Sequence, residues 1–453
     1  MEKVAVTALC WVPKGKITVR RPDEGERAEK DRGARELHED LVEEHGGGGR
    51  SSSAQQAANR DLTAEFDLDN YDDDDDQEGM HLFSVLNGDA PLAFARDPMM
   101  KGGPDSDSDG EFDEIGPDDI VFMAVSCEEE NCQMEVYVFD EDEASMYVHH
   151  DLMLNAYPLC VEWLGNGAKS GEGSFGAVGM IDHSIQLWDL EDMEPIEPVL
   201  ALGKVPKPKA GKSKKKRPVA AKAHDGPVLC LHGSAFNRSV LASGSADETL
   251  KVWDVSENKC VHTYAHHSSK VQCARWHPTE QAVLLSAAFD QKLGLLDVRQ
   301  PDQVAMVDLP AEAESAIWRR HAPFECLASV DNGGVACYDV RKVVSKDANA
   351  RLWTLMAHDV ACTSVQDCPT QHLLVTTGLD GVAKVWNIAN TPSLAMSKDL
   401  KAGPLFTCQS NPEVAALMCF GGTCPVMWDL ASEDLLVDAF GLTPTVTDAD
   451  TGA

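Results

Sequence analysis

Short runs of alternating apolar and polar residues, separated by small and charged turn residues, recur along most of the chain. The pattern is clearest in residues 243–254, which read SGSADETLKVWD. Asp247 lies in a group of turn residues, and Leu250, Val252 and Trp253 follow it in a strand-like run. This stretch predicts a tight turn that leads into a β-strand ending in a Trp-Asp pair.

That Trp-Asp pair is one of seven similar pairs, in each of which an aromatic or apolar residue precedes Asp or Asn. Successive pairs are separated by 49, 65, 43, 42, 48 and 42 residues, which is the period of a four-stranded propeller blade. The sequence therefore predicts an all-β protein that forms a closed, seven-bladed β-propeller. The pairs are Phe139-Asp140, Trp188-Asp189, Trp253-Asp254, Leu296-Asp297, Tyr338-Asp339, Trp386-Asn387 and Trp428-Asp429.

Three of the seven repeats also carry a His, a hydroxyl residue and an Asp at fixed distances. The His lies 22 or 23 residues before the Asp, and the hydroxyl residue lies four before it. We expect each set to form a buried hydrogen-bonded network between a turn and the strand below it, because buried polar groups must be paired. The predicted networks are His224, Ser243, Asp247 and Trp253; His267, Ser286 and Asp290, where Leu296 replaces the Trp; and His358, Thr376, Asp380 and Trp386.

Two segments interrupt the repeats. Residues 4–13 match the innermost strands of later repeats, so we expect them to be the innermost strand of blade 1. An acidic insertion over 14–119 follows this strand, and the rest of the propeller covers 120–442. The long 65-residue spacing contains a basic loop, 204–222, between blades 2 and 3. Strand order predicts that the two insertions leave opposite faces of the propeller. Residues 443–453 are a short polar tail.

The insertion in blade 1 is strongly acidic. The chain has a net charge of −36, and residues 61–119 hold 20 acidic and 2 basic residues, a net charge of −18. Its low apolar content predicts a mostly disordered segment. It either keeps the protein soluble or forms a docking arm for basic proteins. The docking residues would be Phe66, Tyr71, Asp72, Asp73, Asp74, Asp75 and Asp76, and acidic neighbours make Ser106 and Ser108 candidate phosphorylation sites.

The loop 204–222 has nine basic residues and no acidic ones. It is a solvated loop, a nuclear-import signal, or a non-specific contact for nucleic-acid phosphates. The import signal would consist of Lys214, Lys215, Lys216 and Arg217. The loop lacks aromatic residues on which bases could stack, which disfavours sequence-specific RNA recognition.

Candidate chemistry is sparse. The 14 Cys are scattered through strand-like runs, which indicates buried, reduced thiols in an intracellular protein. The pairs Cys127/Cys132 and Cys419/Cys424 have poor spacing for a metal. Residues 171–178, GEGSFGAV, match a kinase glycine loop, but no catalytic HRD or DFG motif follows. We therefore expect a non-enzyme without catalytic residues, metal, cofactor or small-molecule substrate, and without a membrane span or signal peptide.

Several longer motifs identify a family. The chain resembles the eukaryotic WD-repeat family and, within it, the periodic tryptophan proteins. The matching stretches are AVTALCWVP at 5–13, AEFDLDNYDD at 64–73, YVHHD at 147–151, AYPLCVEWL at 156–164, and the Lys-rich loop after VLALG. The resemblance implies a WD40 propeller in the nucleus, and within it the nucleolus, associated with ribosomal RNA production, ribosome assembly and chromatin.

Two functions compete. The first is a nuclear scaffold for ribosome biogenesis that binds basic proteins, namely ribosomal proteins, assembly factors or histones. The second is a substrate receptor of a cullin-based ubiquitin ligase. Residues 296–299 and 338–341 resemble the W-D-x-R ending with which such receptors dock their adaptor, through Arg299 and Arg341.

Overall fold

The structure is a computed structural model that describes residues 5–17, 115–128, 131–140, 145–167, 171–193, 195–203 and 223–442. It shows seven antiparallel sheets arranged as the blades of a propeller. The first strands of neighbouring sheets contact one another around a central channel, so the first strand of each blade is the innermost. The later strands follow outward in sequence order.

Blades 1 to 4 each have four strands. Blade 1 contains β1 (Ala5–Val12), β2 (Ile120–Glu128), β3 (Asn131–Asp140) and β4 (Ser145–Leu154); blade 2 contains β5 (Pro158–Gly167), β6 (Gly171–Met180), β7 (Ile185–Asp189) and β8 (Leu200–Leu202). Blade 3 contains β9 (Val228–Gly233), β10 (Val240–Ser245), β11 (Leu250–Asp254) and β12 (Lys259–Tyr264); blade 4 contains β13 (Val271–Trp276), β14 (Val283–Ala288), β15 (Lys292–Asp297) and β16 (Val304–Asp308).

Blades 5 and 6 are also four-stranded. Blade 5 contains β17 (Ala313–Trp318), β18 (Glu325–Val330), β19 (Gly334–Asp339) and β20 (Arg351–Met356), with helix α1 (Val340–Val344) before its last strand. Blade 6 contains β21 (Ser364–Asp367), β22 (Leu373–Thr377), β23 (Val382–Asn387) and β24 (Ser393–Asp399). Blade 7 contains β25 (Thr407–Ser410), β26 (Leu417–Gly421) and β27 (Pro425–Asp429).

Blade 7 differs from the predicted four-stranded unit. Within the described residues, its third strand is followed by a 3-10 turn (Leu430–Ser432) and helix α2 (Asp434–Phe440). Leu436 of the helix is buried in the core of this blade. Glu433 accepts a hydrogen bond of 2.6 Å from Lys398 on β24. The helix thus covers apolar surface that blades 6 and 7 share.

Side-chain packing between the blades forms the core, because each sheet is apolar on both of its faces. Met134 and Leu152 of blade 1 pack with Met180 of blade 2. Leu9 of β1 packs with Leu417 of blade 7 and closes the ring. Hydrogen bonds support this closure, since Gln409 donates from Nε2 to the carbonyl of Leu9 at 2.8 Å. The ring therefore closes by contact between β1 of blade 1 and the strands of blade 7.

We call the face at which the innermost strands begin the top face, and the opposite one the bottom face. Val12 and Ile120, which flank the acidic insertion, lie at the bottom face. Leu202 and Val228, which flank the basic loop, lie at the top face. The residues around the two insertions are thus on opposite faces, as strand order predicts.

The described ends of the acidic insertion are ordered. Ile17 and Ile115 are both buried in the core of blades 1 and 2. These two apolar residues extend the packed unit beyond β1 and before β2, into both ends of the segment predicted as the insertion, 14–119. The part of the acidic prediction that covers 18–114 lies outside the described residues.

One prediction about the cysteines is wrong. Cys127 and Cys132 face each other across the β2–β3 hairpin and form a disulfide. The sequence indicated reduced thiols throughout, but opposite positions on neighbouring strands bring two β-carbons within bonding reach. The other 12 cysteines are free.

Candidate interaction sites on the propeller

The first predicted network lies in blade 3 and joins four residues. His224 Nδ1 lies 2.9 Å from Asp247 Oδ2, and its Nε2 lies 2.7 Å from Ser243 Oγ. Trp253 donates from its indole N–H to the same hydroxyl at 2.8 Å. Donors and acceptors match if Trp253 donates to Ser243, Ser243 donates to His224, and His224 donates to Asp247. The network ties the top-face turn of the blade to its third strand.

Protonation in this network follows from burial. Burial lowers the pKa of His224, and the nearby Asp247 carboxylate offsets this only in part. Burial alone would raise the pKa of Asp247, but hydrogen bonds from His224 and Thr249 hold it well below its usual range. A neutral imidazole and an ionised carboxylate are the states that the hydrogen bonds require.

Blade 6 repeats the arrangement. His358 Nδ1 lies 2.9 Å from Asp380 Oδ2, and its Nε2 lies 3.0 Å from Thr376 Oγ1. Trp386 donates to the same Thr hydroxyl at 3.0 Å. The structure thus brings together all four residues predicted for this blade.

Blade 4 replaces the missing Trp with a second His. His267 Nδ1 lies 3.0 Å from Asp290 Oδ2, and its Nε2 lies 2.8 Å from Ser286 Oγ. Ser286 has a further partner in His266 Nε2 at 2.9 Å. Gly294 makes this possible, because a Cβ there would lie 3.0 Å from that nitrogen. His266 was not predicted; the His-His doublet beside a Leu at the Trp position is the signal that could have found it.

The two arginines of the adaptor-docking interpretation lie at the bottom face. Arg299 Nη2 lies 2.6 Å from Asp297 Oδ2, and Arg341 Nη2 lies 2.8 Å from Asp339 Oδ2. Both guanidinium groups are exposed, and that of Arg341 lies 4.7 Å from the centre of the Phe324 ring. Each arginine is therefore held by the Asp of its own motif.

The central channel has a polar middle. Glu162 and Arg275 stand one residue before a Trp on the innermost strands of blades 2 and 4 and both line the channel. Burial raises the pKa of Glu162 to about 7, although Arg275 and the Gly233 N–H, 2.9 Å away, act to lower it. This pair could not be predicted from the repeat pattern, because its members are two blades apart.

The cysteines around the channel have structural contacts. Cys160 donates to the carbonyl of Val228 in the next blade at 3.6 Å, and Cys273 donates to that of Ala316 at 3.1 Å. Thr7 makes the same contact with the carbonyl of Pro158 at 3.0 Å. Burial raises the pKa of Cys160 far above its ordinary value, so it remains a thiol.

Several predicted site residues belong to segments outside the described residues. The acidic docking residues (Phe66, Tyr71 and Asp72 to Asp76), the phosphorylation candidates Ser106 and Ser108, and the import residues Lys214, Lys215, Lys216 and Arg217 lie outside the described residues. Within the described ranges, no group of three or more His, Cys, Asp or Glu side chains is arranged to hold a metal ion. No helix in those ranges is both long and apolar enough to cross a membrane.

These features define a seven-bladed β-propeller with the Trp-Asp signature, and comparison with known proteins agrees. The family model "WD domain, G-beta repeat" matches residues 216–254, 258–297 and 345–387, the regions of the three networks. A chain in a crystal structure of the mitotic checkpoint complex has the same fold, with a TM-score of 0.52 and 18% sequence identity. That match covers 68% of this chain and 84% of the solved one.

Relatives match over most of the chain. An uncharacterized WD repeat-containing protein of Schizosaccharomyces pombe is 30% identical over 83% of this chain and 75% of its own length. The chain therefore belongs to the WD-repeat family. Periodic tryptophan protein 1 of Saccharomyces cerevisiae is 29% identical over 81% of this chain and 74% of its own length. Its Drosophila melanogaster homolog is 27% identical over 93% and 92%.

Proposed function

We propose that this WD-repeat protein is a non-catalytic scaffold in the nucleus, concentrated in the nucleolus, that acts in ribosome biogenesis. The observation that carries the proposal is the similarity to Periodic tryptophan protein 1 over 81% of this chain, which extends beyond the three matched repeats. A propeller alone would support only a binding platform.

The chemistry of the described residues supports a role in binding. The His and Asp side chains that resemble a catalytic set are held in the structural networks of blades 3, 4 and 6. Their hydroxyl partners, Ser243, Ser286 and Thr376, each contact a further ring nitrogen, from Trp253, His266 and Trp386 respectively. A nucleophile needs an accessible position next to its base, and these hydroxyl groups are fully buried.

The partners that we propose are basic proteins, that is, ribosomal proteins, assembly factors or histones. Support comes from the sequence, because residues 61–119 have a net charge of −18 and aromatic residues precede the acidic run. Charge complementarity favours association with basic surfaces.

Affinity purification of a tagged chain from nuclear extract at moderate salt, followed by mass spectrometry, tests the scaffold. We expect pre-ribosomal assembly factors and ribosomal proteins, and depletion of the protein should delay the maturation of ribosomal RNA. A variant in which Asp72 to Asp76 are replaced by Asn tests the acidic segment. It should lose basic partners, and its thermal stability should equal that of the unaltered chain. Recovery of histones without assembly factors would redirect the proposal to chromatin.

Nuclear localisation has a separate test. Replacement of Lys214, Lys215, Lys216 and Arg217 by Ala should move a tagged protein to the cytoplasm. Replacement of Lys204, Lys207, Lys209 and Lys212 removes the same charge from the same segment and is the control. Nuclear accumulation of both variants would contradict an import role for the four residues.

The exposed arginines at the bottom face support a second candidate, the receptor of a cullin-based ubiquitin ligase. Replacement of Arg299 and Arg341 by Ala should abolish recovery of a ligase adaptor if this function is correct. Each guanidinium group is exposed and pairs with a neighbouring Asp. Absence of an adaptor from the purification of the unaltered chain would contradict this second candidate.

A further inference from the structure

Glu314 projects into the channel because of a β-bulge. In blade 5, Ala313 pairs with Val330 and Ser315 pairs with Ser329, which leaves Glu314 as the extra residue of the innermost strand. A bulge of this kind re-aims a side chain, and Glu314 lines the top opening of the channel. The same bulge in blades 1 to 4 supplies neutral residues, Thr7, Leu159, Leu229 and Gln272.

Two further carboxylates, those of Asp331 and Glu312, lie close enough to Glu314 for their charges to act on it. The backbone N–H of Asp331 donates to the carbonyl of Glu312 at 3.0 Å, which ties Asp331 to the residues just before the innermost strand of blade 5. Burial, followed by the charges of Asp331 and Glu312, raises the pKa of Glu314. Within the described part of the chain, no Lys or Arg forms an ion pair with any of these three carboxylates. Among the described residues, the cluster therefore contains like charges that no ion pair neutralises.

Exposed apolar side chains continue from this cluster around the opening. Val360, Leu379 and Phe406 are 40%, 44% and 40% exposed, respectively. Leu379 and Phe406 line the same opening as Glu314, which has a volume of about 420 Å³.

The backbone of this apolar rim is held in place. The N–H of Leu379 donates to the carbonyl of Ala361 at 3.2 Å, and the N–H of Phe406 donates to that of Gly421 at 2.8 Å. The apolar groups are thus displayed on a fixed surface.

From this geometry we infer that the top opening of the channel, between blades 5 and 7, binds an extended polypeptide segment that carries a lysine or arginine next to an apolar residue. The cation pairs with Glu314 and Asp331, and the apolar residue packs against Leu379 and Phe406. The carboxylates repel a nucleic-acid phosphate, and the apolar rim disfavours a simple inorganic cation. The inference rests on the proposed binding of basic proteins and assigns that binding a site on the propeller.

The test uses the full chain and a fluorescein-labelled peptide, acetyl-GLKRLKGG-amide, with binding measured by fluorescence anisotropy. The double variant E314Q/D331N should bind about tenfold more weakly than the unaltered chain, because two partners of the cation lose their charge. The control E280Q/D302N removes the same charge from the bottom face and should bind as the unaltered chain does. Equal binding by both double variants would overturn the inference.

Three further measurements separate the parts of the inference. Phe406→Ala should weaken binding several-fold, and an unchanged affinity would contradict apolar recognition. A peptide with Gln in place of Lys and Arg should not bind. A chain without residues 204–222 should bind the peptide with unchanged affinity. Stronger binding would show that the chain's own basic residues occupy the opening, which would contradict a site that is open to partners.

Failure of this inference can be distinguished from failure of the proposed function. If replacement of Asp72 to Asp76 by Asn abolishes peptide binding while E314Q/D331N does not, the acidic segment binds basic proteins and the channel does not. If peptide binding depends on Glu314 but purification recovers no assembly factors, the site stands and the role in ribosome biogenesis does not.

Discussion

Blades 3 and 5 hold the same turn in different ways. In blade 3, His224, Ser243, Asp247 and Trp253 form a hydrogen-bonded network. The corresponding positions of blade 5, by offset along the repeat, are Leu309, Ala328, Asn332 and Tyr338.

The apolar members of the blade 5 set, Leu309, Ala328 and Tyr338, are buried together in one cluster. Asn332 retains one of the hydrogen bonds that Asp247 makes in blade 3, the bond to a backbone N–H within the turn. Its side-chain oxygen accepts this bond from the N–H of Gly334 at 3.0 Å. Tyr338 donates to the carbonyl of Asp308 at 3.1 Å. A buried polar network can thus be exchanged for apolar packing without loss of the blade, as expected when all partners change together.

Blades 2 and 7 show what happens when the exchange is partial. Both retain a Trp, Trp188 and Trp428, but carry Val178 and Met418 at the hydroxyl position. Neither indole N–H has a hydrogen-bond partner in the described residues. These two blades contain unsatisfied donors that neither blade 3 nor blade 5 has in its network.

The largest expected effect on stability comes from the turn between β18 and β19 of blade 5. Gly333 of blade 5 has a φ of +84°, and a Cβ there would lie only 1.9 Å from the carbonyl oxygen of His358. Gly333→Ala should therefore lower the free energy of unfolding by about 2–4 kcal/mol, measured by urea denaturation. Glu248 occupies the same turn position in blade 3 with a φ of +65°. Glu248→Ala is the control and should change stability by less than about 0.5 kcal/mol.

The second prediction compares the acidic positions. Asp247→Ala leaves the buried His224 without its acceptor, which should lower the free energy of unfolding by roughly 1–3 kcal/mol. Asn332→Ala in blade 5 removes one bond to a turn N–H and should lower it by about 0.5–1 kcal/mol. Thermal melting of both purified variants checks the difference. An unchanged melting temperature for Asp247→Ala would contradict the structural role of the network.

The third prediction uses pH. Burial, and then the neighbouring His267, lower the pKa of His266 in blade 4 to about 4, against an ordinary value of about 6.5. As the pH falls below 6.5, the unfolded chain binds a proton that the folded chain does not, so stability is lost between 6.5 and 4. The loss from this residue between pH 7 and 5 should be about 1 kcal/mol after allowance for its partial exposure.

His266→Gln is the variant that checks this pH dependence. The Gln side chain keeps an N–H donor for Ser286 but has no group that binds a proton in this pH range. The free energy of unfolding of the variant, measured by denaturant unfolding at several pH values, should therefore fall less steeply as the pH is lowered. An identical pH profile for the two proteins would show that His266 is already protonated or already exposed in the folded chain.

The smallest expected effect is the exchange of a whole network. The variant H224L/S243A/D247N/W253Y gives blade 3 the residues of blade 5. Its loss of stability should be within about 1 kcal/mol and below that of Asp247→Ala, because no buried partner is left unpaired. Urea midpoints of the two variants decide the order. A larger loss in the fourfold variant would mean that the surrounding core of blade 5, and not the four positions, makes the exchange tolerable.

The sequence by itself determined the fold of this protein and the members of its regular networks. Repeats at spacings of 42 and 43 residues specify a blade, and seven Trp-Asp-like pairs specify the ring, because the same local pattern must bury the same faces each time. The His, hydroxyl and Asp positions could be predicted since each set lies within one repeat. Similarity along the chain likewise located the WD-repeat family.

Only the tertiary structure decided what depends on contacts between repeats. His266 replaces a Trp because Gly294 leaves room for its ring. Glu162 and Arg275 both line the channel, where their charges interact, although they are 113 residues apart in the chain. Glu314 points into the opening because of a β-bulge that the local sequence does not predict. Helix α2 follows the third strand of blade 7 in place of the expected fourth strand, and its Leu436 packs into the core that blades 6 and 7 share. The physical reason is the same in each case: these features depend on distances between residues far apart in the chain, and periodicity describes only neighbours within a repeat.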